Sequence, residues 1–261
     1  MLQKRKALPI SQYKGDCMTI EKVHILGMPV HLTNTTQAVQ RLAEQSHLGN
    51  RQFVIAQNPE KVMKALQDSE LAEIIEQKAT LLIADGVGLT IAGKILGLPR
   101  IERVTGIGLF AELLKQANQT DKRIFLYGAS LEVLTKAVAV IQENYPKIVI
   151  AGAVDGYEQD NEVIIDRIQT AKPDYLFVAL GSPRQEKWIA KQLDQLPVQI
   201  VMGVGGSFDV LAGKVQRAPE WMQQSGLEWL HRLLKQPSRA FRMLNLPKFL
   251  WKVLKSRIIT K

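Results

Sequence analysis

Short apolar runs alternate along the chain with stretches whose apolar positions recur at helical spacing. The runs VHIL (23–26), QFVIA (52–56), TLLIA (80–84), RIFLY (123–127), IVIAG (148–152), DYLFVAL (174–180) and VQIVMGV (198–204) read as strands. Between them the spacing predicts helices over Thr35–His47, Pro59–Gln77, Val87–Leu96, Ile107–Gln119, Leu131–Asn144, Glu162–Ala171 and Pro183–Gln195. Such alternation predicts an α/β fold, a Rossmann-like and mostly parallel sheet covered by helices. The strands are apolar throughout, as strands covered on both faces are. This body is expected to span 21–213, behind a loose extension over 1–20.

After residue 213 the pattern changes. Helical stretches are expected over Glu220–Leu234, Ser238–Leu244 and Pro247–Ile259, the last reading PKFLWKVLKSRIITK to the final residue. In that segment Phe249, Leu250, Val253, Leu254 and Ile258 can share one face, with Lys248, Lys252, Lys255 and Arg257 elsewhere and Trp251 among the bases. An interfacial amphipathic helix has this pattern. A helix packed on the body with its lysines in water has it too. Residues 214–261 are thus expected to form a basic helical appendage, whose removal leaves a folded but inactive body.

Charge sharpens this division. The formal net charge is +9. The eleven Lys/Arg and two acids from Lys214 onward (11 − 2 = +9) account for all of it, so the body is neutral. A basic tail can meet nucleic acid, anionic lipid or a phosphorylated substrate. The single cysteine, Cys17, excludes an intrachain disulfide and a cysteine metal cluster, and fits a reducing compartment. The four histidines show no ligand spacing. No apolar run reaches the roughly 18 residues of a spanning helix, and the basic N-terminal stretch lacks an apolar signal core. A cytoplasmic protein, peripheral on the inner face of a membrane, is expected.

In an open parallel sheet, ligands bind at the carboxyl ends of the strands. There the exits read Gln57-Asn58-Pro59, Asp85-Gly86-Val87-Gly88, Gly128-Ala129-Ser130, Gly181-Ser182-Pro183-Arg184-Gln185-Glu186 and Gly205-Gly206-Ser207-Phe208-Asp209. Gly-rich exits let backbone N–H groups approach an anion, although glycine after a strand also serves plain turns. Asp85 ends an apolar strand, where a carboxylate can act as general base or cap the next helix. Gln185 and Glu186 open a helix and also read as ordinary first-turn residues. Arg232, Arg239 and Arg242 recur at helical spacing, and their guanidinium forks suit phosphate oxygens or form a solvated face. The chain lacks GxxxxGK[ST], HExxH and GxSxG, and no Asp-x-Asp follows a strand.

Taken together these blocks resemble the WecG/TagA/CpsF glycosyltransferases of bacterial surface-polymer synthesis. The matching stretches are Asn58-Pro-Glu, Ala84-Asp-Gly-Val-Gly, Arg103-Val-Thr-Gly, Gly181-Ser-Pro-Arg-Gln-Glu-Lys-Trp-Ile, Gly203-Val-Gly-Gly-Ser-Phe-Asp, Arg217-Ala-Pro-Glu-Trp, Gly226-Leu-Glu-Trp-Leu-His-Arg-Leu and Pro237-Ser-Arg-Ala-Phe-Arg. The resemblance runs from about Val23 to Arg242. It implies transfer of a sugar from a nucleoside diphosphate to a lipid-diphosphate-linked sugar, with inversion and without a metal or other cofactor. In the TagA-like branch the donor is UDP-N-acetylmannosamine and the acceptor GlcNAc-diphospho-undecaprenol, at a membrane surface. It implies Asp85 as base, Asn58 and Gln185 as substrate contacts, and Arg232, Arg239 and Arg242 closing over the donor diphosphate. One position departs. Where relatives often carry Thr, this chain has Ala56, and Gln57 could supply the missing polar group.

Two other classes stay in view. A nucleic-acid-binding module would use the tail, but no reading motif or stacking platform accompanies it, so no nucleic-acid partner is expected. A non-catalytic sugar-nucleotide sensor would share the site and lack turnover. Exposed apolar surface near the tail could drive homo-oligomers off the membrane.

Overall fold

The computed structural model describes residues 19–219, 221, 222, 228, 230, 231 and 245–259. Residues 1–18, Arg232, Arg239 and Arg242, with most of the helices expected over 220–234 and 238–244, lie outside these.

The chain opens with a two-stranded antiparallel hairpin, β1 (Lys22–Ile25) and β2 (Met28–His31). Leu26 and Gly27 turn it with φ of 51° and 82°, the paired positive values that match strand twist. Sequence reading missed β2 because Pro29 interrupts a very short run; such a proline is tolerated in an edge pair.

Six strands then form one parallel sheet: β3 (Gln52–Gln57), β4 (Leu81–Ala84), β5 (Arg123–Gly128), β6 (Val149–Val154), β7 (Tyr175–Ala179) and β8 (Ile200–Gly203). Their order is β4-β3-β8-β7-β5-β6, every neighbouring pair parallel. The chain starts in mid-sheet at β3 and steps out to β4. It then crosses to β5 and β6 before β7 and β8 fill the gap. β3 and β8 are therefore neighbours reached from opposite halves of the fold, the switch point where a crevice opens at the carboxyl edge. β3, β4, β7 and β8 are buried along their length, as apolar runs predict, whereas β6 is a half-exposed edge.

The helices among the described residues are α1 (Thr35–His47), α2 (Pro59–Ala65), α3 (Ser69–Glu73), α4 (Val87–Leu96), α5 (Gly106–Gln119), α6 (Leu131–Asn144), α7 (Asn161–Ala171), α8 (Arg184–Gln192), α9 (Ser207–Leu211) and α10 (Asn245–Ile259). One face of the sheet packs α1, α5, α6 and α9 through residues such as Leu42, Phe110, Ile141 and Phe208. The other packs the hairpin with α2, α3, α4, α7, α8 and α10 through Val62, Leu89, Ile168, Ile189 and Phe249. The single helix expected over Pro59–Gln77 is broken. The Asp68 carboxylate accepts from the Leu71 amide at 3.1 Å and restarts the helix as α3, followed by a π turn, Ile74–Lys78.

The C-terminal helix packs on the body. Phe249 and Val253 are fully buried in the core of the body, against α2 and α4. At Gly88 a β-carbon would stand 2.3 Å from Cγ of Pro59 and 2.9 Å from Cδ1 of Leu246. Glycine there lets α2, α4 and α10 converge. The apolar face read from sequence is thus divided. Phe249, Leu250 and Val253 pack inward, while Trp251, Leu254 and Ile258 stay 62%, 47% and 76% exposed.

Candidate active site

The exits of β3, β4, β7 and β8 meet at the carboxyl edge of the sheet around a cavity of about 360 Å³. Ala56, Asn58, Lys61, Asp85, Arg103, Thr105, Ser182, Gln185, Gly203–Ser207, Glu228 and Asn245 are among its lining. A second cavity of about 430 Å³ adjoins it over the exits of β5 and β7, with Ser130, Tyr157, Gly181 and Lys214 in its wall. Asn58, Lys61, Ser182, Gly205 and Gly206 border both, so the two volumes meet at the β3–β8 seam.

Asp85 follows β4 directly, half-buried. Its amide donates to the Gln57 carbonyl at 2.7 Å, and the Val104 amide donates to the Ala84 carbonyl at 2.9 Å. These bonds fix the strand exit between its neighbours. The cap position of α4 belongs to Gly86, φ 87°, so the carboxylate stands one residue before the helix cap. A β-carbon on Gly106, at the start of α5, would lie 3.5 Å from Asp85 Oδ2 and 3.1 Å from Cβ of Ala56. Ala56 and Asp85 therefore sit side by side in the cavity wall.

Asn58 caps α2. Its Oδ1 accepts from the Lys61 amide at 2.8 Å, so the group it can offer a ligand is the amide nitrogen. Gln57 does not replace the missing Thr hydroxyl at Ala56. Neighbouring residues of a strand face opposite sides of the sheet. Gln57 is accordingly fully buried, outside the cavity lining. Both of its amide atoms are buried without a hydrogen-bond partner among the described residues.

Gln185 reaches the cavity, but its amide is committed to the protein. Oε1 accepts from the Gly205 amide at 3.1 Å, and Nε2 donates to Glu186 Oε1 at 3.0 Å. The same carboxylate oxygen accepts from Lys61 Nζ at 2.7 Å, and Lys61 also donates to the Ala56 carbonyl at 2.8 Å. Burial alone would push the Glu186 carboxyl up. The Lys61 ammonium and the hydrogen bonds from Lys61 and Gln185 outweigh burial and hold it below the usual carboxylate value.

Arg103 pairs through Nη2 with Glu228 Oε2 at the cavity wall, and Arg217 Nε lies 3.6 Å from the other oxygen of Glu228. This acidic residue joins the body to the segment that leads toward Arg232. Among the described residues no three His, Cys, Asp or Glu side chains cluster to hold a metal ion.

Of the residues singled out from sequence, Asn58, Asp85 and Gln185 come together here. Gln57 lies behind the wall, and the three tail arginines fall outside the described residues. Lys61, Glu186, Arg103 and Glu228 were not assigned roles in advance. Arg103 could have been found from the matching Arg-Val-Thr-Gly block. A lysine in the first turn of a helix gives no sign of being buried.

The family of glycosyl transferases described as WecG/TagA/CpsF matches residues 23–261. A protein of Bacillus spizizenii is 40% identical over 78% of this chain and 79% of its own. One of Bacillus subtilis is 38% identical over 91% and 92%, and one of Staphylococcus aureus 36% over 92% and 97%. All three are named N-acetylglucosaminyldiphosphoundecaprenol N-acetyl-beta-D-mannosaminyltransferase. With the match running from β1 through α10, the chain belongs to the WecG/TagA/CpsF glycosyltransferase family.

Proposed function

We propose that the protein transfers N-acetylmannosamine from UDP-N-acetylmannosamine to GlcNAc-diphospho-undecaprenol, in the synthesis of teichoic acid or a related cell-surface polymer. The observation that carries this reading is a half-buried carboxylate, Asp85, in the wall of a cavity at the carboxyl edge of the sheet. It does so in a chain similar over 91% of its length to an enzyme so named.

Asp85 takes the proton of the acceptor hydroxyl as its oxygen attacks the anomeric carbon from the face opposite the diphosphate. The bond to the diphosphate breaks and its electrons leave with UDP, so the configuration inverts. Where many enzymes use a divalent metal to offset that charge, cationic side chains do so here: Arg103 at the cavity and Arg232, Arg239 and Arg242 from the tail. Asn58 holds donor through its amide nitrogen. Because Gln185 is bonded to Gly205 and Glu186, it serves the site through the glycine loop.

The acceptor is a membrane lipid, and among the described residues no helix is long and apolar enough to cross a membrane. Trp251, Leu254 and Ile258 on the outer side of α10, with Lys255 5.5 Å over the Trp251 ring and other bases beside them, suit an anionic bilayer face. The protein works there, peripherally, on the inner face of the cell membrane.

One observation favours a second donor. Ala56 offers no hydroxyl at its own position in the wall, which suits a related transferase using UDP-N-acetylmannosaminuronic acid or a UDP-hexose. A panel of UDP-sugars offered with a GlcNAc-diphospholipid acceptor, products read by mass spectrometry, decides between them. N-acetylmannosamine is expected to transfer fastest. Faster transfer of another sugar establishes the second reading, and no transfer from any donor contradicts both.

A further inference from the structure

We infer that Lys61 and Glu186 are positioning residues of the transfer site, acting through Gln185 on the glycine loop after β8. The inference rests on the glycosyl-transfer reading for its kinetic consequence, and on geometry alone for the mechanism of positioning.

The chain of contacts begins with two charges that the fold has removed from water. Lys61 is 4% exposed and Glu186 1%. A buried pair of this kind is rarely kept for stability alone, since desolvating both charges offsets most of their attraction. It does fix polarity. An ionised carboxylate only accepts hydrogen bonds, so the Gln185 group facing it must be the amide nitrogen. The Gln185 carbonyl oxygen is then turned to the opposite side, where it takes the Gly205 amide at 3.1 Å. Lys61 keeps Glu186 ionised and, through the Ala56 carbonyl, ties the network to the strand exit beside Asp85.

Packing holds Gln185 close against β8. A β-carbon on Gly203 would stand 2.5 Å from Gln185 Nε2 and 2.9 Å from its Cδ, so the amide lies directly on the strand. Gly205 and Lys61 both border the seam between the two cavities. Loop N–H groups set there before the reaction stabilise negative charge as it develops on the leaving diphosphate. Displacing the loop therefore lowers kcat more than it alters donor binding in the ground state.

Two variants of the full chain test this without leaving a lone buried charge. Lys61→Met with Glu186→Gln removes both charges while keeping side-chain volume. Gly203→Ala displaces the Gln185 amide and leaves the ion pair intact; the atoms it meets, Nε2 and Cδ, lie at the end of a flexible side chain, and thermal unfolding checks that the fold is retained. For each, thermal unfolding, hydrogen–deuterium exchange of the 203–207 segment and steady-state kinetics are measured. The expected result is near-parental unfolding, faster exchange at Gly205, kcat down by about tenfold or more, and donor KM changed by less than about threefold. Parental exchange at Gly205 in both variants overturns the positioning mechanism, whatever the reaction proves to be. Faster exchange with parental kcat overturns its role in transfer. A parent protein that moves no sugar from any donor defeats the transfer reading and the kinetic part of the inference, while exchange still decides the geometry.

Discussion

The backbone amide of Asp85 donates to the carbonyl of Gln57 at 2.7 Å, joining the last residues of two neighbouring strand exits. That bond holds the carboxylate of one exit at a set height beside Ala56 and Asn58 of the other. It joins backbone atoms only, so it does not depend on the Asp85 side chain. Asp85→Asn removes a base and keeps the shape. It is expected to lower kcat by about 10²- to 10⁴-fold while UDP binding, read by calorimetry, stays within a few-fold of the parent. A variant that turns over normally removes Asp85 as the base.

The two sides of α10 make opposite predictions. Phe249 is fully buried between the helix and the body, so Phe249→Ala is expected to cost about 3–5 kcal/mol, and truncation after residue 213 to lower the unfolding midpoint as well as activity. Trp251, Leu254 and Ile258 lie outside. Replacing all three with Glu should leave thermal unfolding near the parent and abolish sedimentation with anionic vesicles. Vesicle binding that survives the triple change would place the lipid contact elsewhere.

His31 sets a pH limit on the fold. The ring is 1% exposed, and its Nδ1 accepts from the Leu82 amide of edge strand β4 at 2.9 Å. Burial, with Lys22 and Arg41 nearby, lowers its pKa from 6.5 to about 4. Above pH 6.5 the ring is neutral folded or unfolded, and its contribution is complete. Between 6.5 and 4 the unfolded chain takes up a proton that the folded one refuses. Stability therefore falls with pH over that window, by about 3 kcal/mol at its lower end. Urea unfolding at pH 7.5 and 4.5 checks this against His31→Gln, which keeps an acceptor and should lose that much less stability on acidification.

Much of this architecture is legible in the residues. Continuous apolar runs mark the sheet strands, and caps such as Ser130, whose hydroxyl accepts from the Val133 amide, begin helices where the pattern says they begin. The strand-exit rule brought Asn58, Asp85 and Gln185 to one cavity. What escaped depended on three-dimensional neighbours. Asp68 looks like a solvated helix residue until its carboxylate caps α3 and meets Lys187 at 2.8 Å. Gln57 and Ala56 differ by one position, and only strand parity decides which faces the cavity. The inner and outer apolar sides of α10 merge into one amphipathic pattern until α2 and α4 claim half of it. Lys61 reads as a surface lysine because burial of a charge depends on a partner, Glu186, 125 residues away.

The central claim is a metal-independent inverting transfer with Asp85 as base, and product stereochemistry tests it most directly. The full-length chain is supplied with UDP-N-acetylmannosamine and a GlcNAc-diphospholipid in excess EDTA, and the anomeric configuration of the new linkage is read by NMR. The account predicts a β-linked disaccharide lipid, formed at the same rate with and without EDTA and lost in Asp85→Asn. An α-linked product, or transfer that stops in EDTA and returns with added divalent metal, would contradict it.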